Sequence, residues 1–190
     1  MQHKPIYVSQ PTLPPLKEYT DLLKGVWESG ILTHNGPLVK QFEKEIDAYL
    51  GANTTSLVTN GTIALHLALR ALDLLEGEVI TTPFSWISSV SAIQWEGCHP
   101  VFVDVDPETF NIDPDKIEAA ITDNTRAILG VHVFSSPCDV ERIEAIASSH
   151  NLKVIYDGAH AFGVKHNKES IFSWGDISTT SFHATKLLNT

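Results

Sequence analysis

Two short runs of this chain are apolar throughout: Ala127-Ile128-Leu129-Gly130-Val131 and Val154-Ile155-Tyr156. A strand with one face in water alternates apolar and polar residues, whereas a strand of a parallel sheet is buried on both faces and stays apolar. Similar runs recur along the chain, and amphipathic stretches with helical spacing separate them. Strands and helices in alternation predict an α/β domain with a mostly parallel sheet flanked by helices.

The same patterns predict six strands, near Thr55–Thr59, Glu78–Thr82, Pro100–Val103, Arg126–His132, Leu152–Asp157 and Ile177–His183. They predict helices near Leu16–Ser29, Leu38–Leu50, Gly61–Leu72, Trp86–Glu96, Pro114–Ile121 and Asp139–His150. Ser136 before Pro137, and Asp113 before Pro114, place a capping residue ahead of a proline at the first helical position, which is typical of a helix start. Residues 1–14 are predicted to form a Pro-rich arm, and residues 15–190 the main domain.

Length and composition indicate one ordinary soluble globular domain. The chain has 190 residues, of which 43% are apolar and 19% charged, and this is enough for a single well-buried core. Its net charge of −10 argues against a broad surface for nucleic acid or anionic membrane, because either would need an excess of Lys and Arg.

Cysteine, histidine and hydropathy patterns narrow the class further. No N-terminal run has the pattern of a signal peptide, and no stretch approaches the roughly 18 apolar residues of a membrane span. Cys98 and Cys138 form no CxxC pair, so neither a disulfide framework nor a zinc site is expected. The histidines show no HExxH or paired spacing, so we predict no metal site. A cytoplasmic protein is the default interpretation.

Residues with useful chemistry follow directly after several predicted strands. In open parallel sheets, ligands bind beyond the carboxyl ends of the strands. The segments in question are Thr59–Thr62, Pro83–Trp86, Asp157–His160 and His183–Lys186. Chance would scatter such residues over both ends of the sheet, so their placement predicts one ligand site at this edge.

One part of this predicted site would suit a phosphate. Gly61 and Thr62 open a predicted helix, where free backbone N–H groups and the positive end of the helix dipole attract anions, and glycine permits a close approach. On their own, such pairs are more often only caps and turns. Ser181 could also donate to a phosphate, although a serine beside a strand usually contacts water or backbone.

Another part would suit a planar cofactor that reacts with amines. Lys186 lies among small and polar residues, where a Schiff-base lysine would sit, although most lysines are simply at the surface. Asp157 could hold a ring nitrogen, or it could be a structural residue that caps the next segment. Trp86 could stack on a ring, or pack in the core or an interface. His160 and His183 could bond a cofactor oxygen or shuttle protons, although most of the nine histidines must be structural.

Together these residues resemble the fold-type-I pyridoxal-phosphate (PLP) enzymes, and among them the DegT-type sugar nucleotide aminotransferases. The resemblance covers essentially the whole chain, and the order and spacing of its parts make it specific. Runs similar to the family are Gly36–Glu43, Asn60–Leu69, Gly77–Pro83, Pro100–Asp106, Pro137–Val140 and Gly175–Ser178. Residues 15–190 would then be the PLP-binding large domain of that fold.

The resemblance implies roles for the candidate residues. Lys186 would bond the cofactor covalently and then act as the acid and base that moves the substrate proton. Asp157 would hold the ring nitrogen, and Trp86 would stack on the ring. The phosphate contacts would be Gly61, Thr62 and Ser181.

Other positions are similar to the family's substrate and cofactor contacts. Thr33 and Asn35 lie in a loop that would border the substrate, and His183 is a further substrate candidate. His160 stands where many relatives carry glutamine, so its contact with the cofactor is left open. The pair Ser135-Ser136 replaces the common Gly-Asn.

The family's chains continue beyond the lysine, so this sequence looks like the N-terminal half of such an enzyme. The large domain would be incomplete and the C-terminal small domain absent. The resemblance implies a homodimer for the full-length enzyme, with partner-subunit contacts supplied by the other half. We therefore expect the 190-residue chain alone to be inactive.

The implied activity is a PLP-dependent transfer of an amino group from an amino acid, with glutamate expected, to a nucleotide-linked keto-deoxysugar. The nearest resemblance is to enzymes that aminate a dTDP-4-keto-6-deoxyhexose, in the biosynthesis of lipopolysaccharide O-antigen or other deoxyaminosugars. One alternative is a PLP-dependent sugar dehydratase, but related dehydratases carry histidine in place of Lys186. Another is an inactive fragment that folds, dimerises or weakly binds PLP.

Overall fold

The computed structural model describes residues 6–7 and 10–190. Five strands form one sheet: β1 (Glu78–Thr81), β2 (His99–Phe102), β3 (Thr125–Val131), β4 (Lys153–Asp157) and β7 (Ile177–Thr179). Their spatial order is β2-β1-β3-β4-β7, and every neighbouring pair is parallel. Two further strands, β5 (Lys165–His166) and β6 (Glu169–Ser170), form a separate antiparallel hairpin. The predicted α/β fold with a parallel sheet is therefore confirmed.

All six predicted helices are present, each within one residue of its predicted ends. They are α1 (Leu16–Ser29), α2 (Pro37–Leu50), α3 (Gly61–Ala71), α4 (Ile87–Trp95), α5 (Pro114–Ala120) and α6 (Val140–His150). Asp113 caps α5 as predicted, because its carboxylate accepts from the backbone N–H of Asp115 at 3.0 Å.

The predicted cap of α6 was wrong. Asp139 caps this helix, accepting from the N–H of Arg142 at 3.2 Å, and Ser136 and Pro137 lie outside it. The reason is that other groups bind the backbone of the preceding segment. Its carbonyls accept from a buried asparagine, and the N–H of Cys138 donates to a histidine ring.

Each face of the sheet is covered by helices, and this explains the runs that are apolar throughout. Leu129 and Ile155 pack in the core beneath α3 and α4, whereas Ile128 and Tyr156 pack in the core beneath α5 and α6. Successive side chains of β3 and β4 thus enter opposite cores, as the two-residue period of a strand requires. All four residues are completely buried, with an exposed fraction of 0%.

Two strand predictions were wrong in part. Thr55–Thr59 is not a strand, and the N–H of Leu57 donates instead to the side chain of Glu43 on α2 at 2.8 Å. The last strand ends at Thr179 rather than at His183. Its neighbour β4 also ends there, with Asp157 opposite Thr179, so the chain beyond has no strand to pair with.

The N-terminal region packs least. Of the predicted arm, residues 1–5, 8 and 9 lie outside the described residues, and the described remainder before α1 is exposed. Helix α1 buries none of its residues. Within the described part of the chain, no helix has both the length and the apolar character needed to cross a bilayer.

Candidate active site

The carboxyl end of β4 organises the site. Gly158 follows Asp157 directly, and its N–H donates to the carbonyl of Thr179 at 2.8 Å. A Cβ atom at Gly158 would lie 2.7 Å from the ring of Phe172, so only glycine fits at this turn. The turn therefore lies tightly against the end of β7, where the segment carrying Lys186 begins.

Asp157 is buried, with an exposed fraction of 6%. Its Oδ1 accepts from the N–H of Ala159 at 3.1 Å, and its Oδ2 accepts from the hydroxyl of Ser89 at 2.9 Å. Ser89 is fully buried on α4, and its oxygen lies 2.7 Å from that of Ser85. Because a hydroxyl has one proton and Ser89 donates it to Asp157, Ser85 must donate to Ser89. The carboxylate is thus held at both oxygens, and each keeps a lone pair for a further donor.

The start of α3 lies beside the end of β7, as the sequence predicted. Asn60 caps the helix by accepting from the N–H of Ile63 at 2.9 Å. A Cβ atom on Gly61 would lie 3.7 Å from the hydroxyl oxygen of Ser181. Among the described residues, no acceptor meets the N–H groups of Gly61 and Thr62. A helix start, a glycine and a hydroxyl therefore meet in the arrangement that binds a phosphate.

Lys186 lies in a turn after β7 and is half-buried, so it is not an ordinary surface lysine. Its backbone N–H donates to the carbonyl of His183 at 2.8 Å. The ring of His183 is exposed and lies 3.0 Å from the hydroxyl of Thr185. Among the described residues, nothing forms a hydrogen bond or ion pair with the Lys186 ε-amine.

His160 follows Asp157 by three residues, and its pKa responds to the charge of Lys186. Its pKa is lowered chiefly by partial burial and also by the nearby Lys186 ammonium, while the Asp157 carboxylate opposes this shift. By surface area the His160 side chain is still exposed, and the Phe134 ring is stacked on the imidazole with centroids 6.1 Å apart. That the three residues form one site stays a prediction.

Two further groups, His132 and Cys138, are buried, and burial favours the neutral form of each. The backbone N–H of His132 donates to the carbonyl of Asp157 at 3.0 Å. Burial lowers the pKa of the His132 ring to about 4. Its Nδ1 accepts from the N–H of Cys138 at 3.0 Å. Burial also raises the pKa of the Cys138 thiol to about 12.

The remaining candidates border the site or lie elsewhere. Trp86 precedes α4 and is 77% exposed, so it is not a core residue, and its ring is free to stack on a ligand or a partner. Thr33 and Asn35 lie in an exposed turn before α2, where Thr33 bonds to the ring of His34 at 2.7 Å. No contact in the described residues brings these two to Lys186, and their substrate role stays a prediction.

Comparison with known proteins decides the family. The model of the DegT/DnrJ/EryC1/StrS aminotransferase family matches residues 16–190. This chain belongs to that family. It is 50% identical over 98% of its length to the dTDP-4-amino-4,6-dideoxy-D-glucose transaminase of Shigella dysenteriae, and it covers 51% of that protein. It is 41% identical over its full length to the GDP-perosamine synthase of Escherichia coli O157:H7, of which it also covers 51%.

Solved structures of the family have the same fold. The structure of DesI with its TDP-sugar product matches 99% of this chain and 48% of that one, with a TM-score of 0.95 and 34% identity. NtdA from Bacillus subtilis, solved with the cofactor PMP, matches 92% of this chain and 39% of that one, with a TM-score of 0.85 and 36% identity. The chain spans about half the length of the curated relatives it matches.

The residues present fit the cofactor of this family. Asp157 offers buried, oriented carboxylate oxygens to a protonated ring nitrogen, and the start of α3 offers N–H groups to a phosphate. Lys186 offers an amine with no competing partner among the described residues. These three elements converge at one sheet edge, and no group of metal-binding side chains was found among the same residues.

Sequence analysis missed Ser89, which donates to Asp157. No residue spacing singled it out, because Ser85 lies before α4 and its bond to Ser89 depends on how the preceding loop folds. It also missed Ser135, whose hydroxyl donates to the carbonyl of His160. This contact depends on how a loop folds back, which residue spacing does not reveal.

Proposed function

We propose that this chain is the cofactor-binding part of a PLP-dependent aminotransferase that acts on a nucleotide-linked keto-deoxysugar. The amino group would come from an amino acid, with glutamate as the expected donor. The observation that carries the proposal is the convergence of Asp157, Lys186 and the start of α3 at one sheet edge, in a chain of the aminotransferase family. Relatives named as dTDP-sugar and GDP-sugar enzymes support the substrate class.

PLP, when bound, supplies an aldehyde that bonds amines and a pyridine ring that withdraws electrons from the bond being broken. Asp157 would keep a proton on the ring nitrogen, because a carboxylate favours the charged form of its partner. Lys186 would hold the cofactor and then carry a proton between substrate and cofactor carbons. The N–H groups of Gly61 and Thr62, with the hydroxyl of Ser181, would bind the phosphate.

The finer parts of the proposal concern setting and assembly. We place the protein in the cytoplasm, where nucleotide sugars are made, and its two free cysteines suit a reducing compartment. The product would serve lipopolysaccharide O-antigen or another deoxyaminosugar pathway. The full-length enzyme would be a homodimer, which the exposed apolar residues of α1, such as Leu22 and Trp27, support.

Two other functions remain as alternatives. A sugar dehydratase of the same family is disfavoured, because Lys186 stands where related dehydratases carry histidine. An inactive fragment would keep the fold but lack cofactor chemistry. A lysine at residue 186, whose amine has no competing partner among the described residues, favours the aminotransferase over both.

Covalent labelling of Lys186 tests the proposal on the chain itself. The chain is incubated with PLP, reduced with borohydride and mapped by peptide mass spectrometry. We expect the pyridoxyl group on Lys186 and no label in a Lys186→Met variant. Lys165 and Lys168, in and beside the β5–β6 hairpin, are internal controls. A label on those residues, or on none, would contradict the proposal.

Activity is tested in a chimera that joins this chain to the second half of the Shigella dysenteriae transaminase. The chimera should convert PLP to its amine form with glutamate and then aminate a dTDP-linked keto sugar. A labelled chain whose chimera releases dehydrated sugar instead would favour the dehydratase.

A further inference from the structure

Asn111 is a buried polar residue whose side chain bonds one loop. It is 2% exposed and follows β2 by nine residues. Its Oδ1 accepts from the N–H of Val133 at 2.9 Å. Its Nδ2 donates to the carbonyls of Ser136 at 3.1 Å and Pro137 at 2.8 Å. The amide of Asn111 therefore binds the backbone at both ends of residues 133–136.

This loop contains two residues with an unfavourable backbone. Phe134 has a φ of 49° and Ser135 a φ of 68°, which are left-handed values that cost energy in residues with a side chain. The bonds to Asn111 flank this pair and offset that cost. Because Phe134 is 71% exposed, burial of its own side chain does not hold the loop in place.

The loop contacts His160 through both ring and backbone. The Phe134 ring and the His160 imidazole are nearly parallel, with an angle of 5° between them. The Ser135 hydroxyl donates to the His160 carbonyl. From behind, Phe84 meets Phe134 edge-on, with centroids 6.5 Å apart. His160 is thus fixed by the loop, and the loop is fixed by Asn111.

We propose that Asn111 is a positioning residue, which pins residues 133–136 so that Phe134 and Ser135 set the orientation of the His160 ring at the cofactor edge. The functional meaning of this inference rests on the proposed function. A histidine presents a donor at one ring nitrogen and an acceptor at the other, so ring orientation decides what a ligand meets. Asn111 acts through the loop, because none of its hydrogen bonds goes to Asp157, His160 or Lys186.

Titration of His160 by NMR, without any cofactor, tests the proposal. The ring signals are assigned with a His160→Gln variant, and the contact with Phe134 is followed by the nuclear Overhauser effect. In Asn111→Ala we expect the pKa of His160 to rise towards the ordinary value of histidine, because the imidazole loses its stacking contact with Phe134 while Lys186 and Asp157 stay in place. The Overhauser effect between the two rings should weaken.

Three further variants make the test specific. Asn111→Leu keeps the volume and loses every hydrogen bond of the side-chain amide, so it should behave as Asn111→Ala does. Phe134→Ala removes only the ring contact and should also raise the pKa of His160. Asn124→Ala, at an exposed asparagine of another loop, is the matched control and should change neither reading.

A folded Asn111 variant with unchanged titration and ring contact would overturn the proposal. If neither Asn111 variant folds, hydrogen exchange in the unsubstituted chain decides. The N–H of Val133, bonded to Asn111, should then exchange as slowly as that of Ile128 in β3, and exchange as fast as in an exposed loop would overturn the proposal. Because no cofactor is used, this failure would be distinct from a failure to label Lys186.

Discussion

Asp157 and Lys186 share one edge of the sheet, but the chain holds them in different ways. Asp157 ends a central strand, is 6% exposed, and accepts hydrogen bonds from Ser89 and Ala159. Lys186 lies in a segment after β7 where its backbone bond, to His183, reaches only three residues back. One group is fixed by the sheet and its helices, and the other by a local turn.

The difference matches what each group would have to do. A carboxylate that keeps a ring nitrogen protonated works best when it cannot move. A lysine that makes and breaks a bond and carries a proton needs room for its side chain. The turn is still anchored, because Phe182 packs edge-on against Phe42 and Phe162, with centroid distances of 5.3 Å and 5.8 Å.

The largest expected effect comes from removing the charge of the fixed group. Asp157→Asn keeps the shape but cannot favour a protonated ring nitrogen. In the chimera, we expect cofactor labelling at Lys186 to persist. The activation barrier of turnover should rise by several kcal/mol, and each increase of about 1.4 kcal/mol slows the rate tenfold. Near-normal turnover would make Asp157 a structural residue only.

Lowering the pH should reduce the free energy of unfolding through His132, the buried residue directly after β3. The ring is neutral when folded, with a pKa of about 4, whereas an unfolded histidine titrates near 6.5. A proton thus binds the unfolded chain first, so this stability is complete above pH ~6.5 and is lost as pH falls towards 4. Urea unfolding at pH 7 and pH 5 should differ by about 2 kcal/mol from this group.

His132→Asn isolates that contribution, because its side-chain oxygen can still accept from the N–H of Cys138. The variant should lose about 2 kcal/mol of the difference between pH 7 and pH 5, and His160, whose pKa is also lowered, contributes to the part that remains in both proteins. Asp21, Glu96 and Asp106 have lowered pKa values and lose their stabilising effect only below their unfolded values near pH 4, outside this window. If the stability of both proteins depended equally on pH, His132 would not be the source of the pH dependence.

Phe182→Ala should destabilise the turn that carries Lys186 and leave the end of β4 at Asp157 unchanged. Loss of the contacts with Phe42 and Phe162 should speed hydrogen exchange of the Lys186 N–H by about tenfold, roughly 1.4 kcal/mol of local stability. Phe102→Ala, at a half-exposed phenylalanine on the far edge strand, is the control and should leave that exchange unchanged. Equal effects of the two variants would mean that Phe182 does not anchor the turn.

Ser89→Ala should have the smallest effect, because it removes only one of the hydrogen bonds that orient the Asp157 carboxylate. One hydrogen bond to a buried charge is lost, which should lower the free energy of unfolding by about 1–2 kcal/mol in a urea titration. Ser85→Ala removes the donor one step further away, at a less buried residue, and should cost less. If Ser85→Ala lowered the free energy of unfolding more than Ser89→Ala does, Ser85 rather than Ser89 would be the more important of the two hydroxyls.

Periodicity predicted the fold well because the two cores impose it. Runs such as those in β3 and β4 stay apolar since both faces are buried, and the start of α5 carries the predicted capping residue, Asp113. Two of the failures share one cause. At Thr55–Thr59 and at Ser136, side chains from distant parts of the chain bind the backbone and override the local pattern.

The site could be predicted only as far as topology places residues together. The carboxyl end of a parallel strand brought Asp157 near Lys186, and the family resemblance supplied their roles. Ser89 and Asn111 escaped because their importance lies in single hydrogen bonds across the fold. Serine and asparagine in such positions look the same in sequence as any polar residue in a turn.

The exposure of Trp86 gives the chain an optical reporter. Three of its four tryptophans, Trp27, Trp86 and Trp95, are at least 75% exposed, so their fluorescence should have the emission of water-surrounded indole. Trp86 is the one predicted to border the cofactor, and a planar chromophore stacked on it would quench that one emitter. A Trp86→Phe variant would keep a stacking ring and remove the Trp86 emission. The difference in fluorescence between the two proteins would therefore follow the rate of cofactor binding.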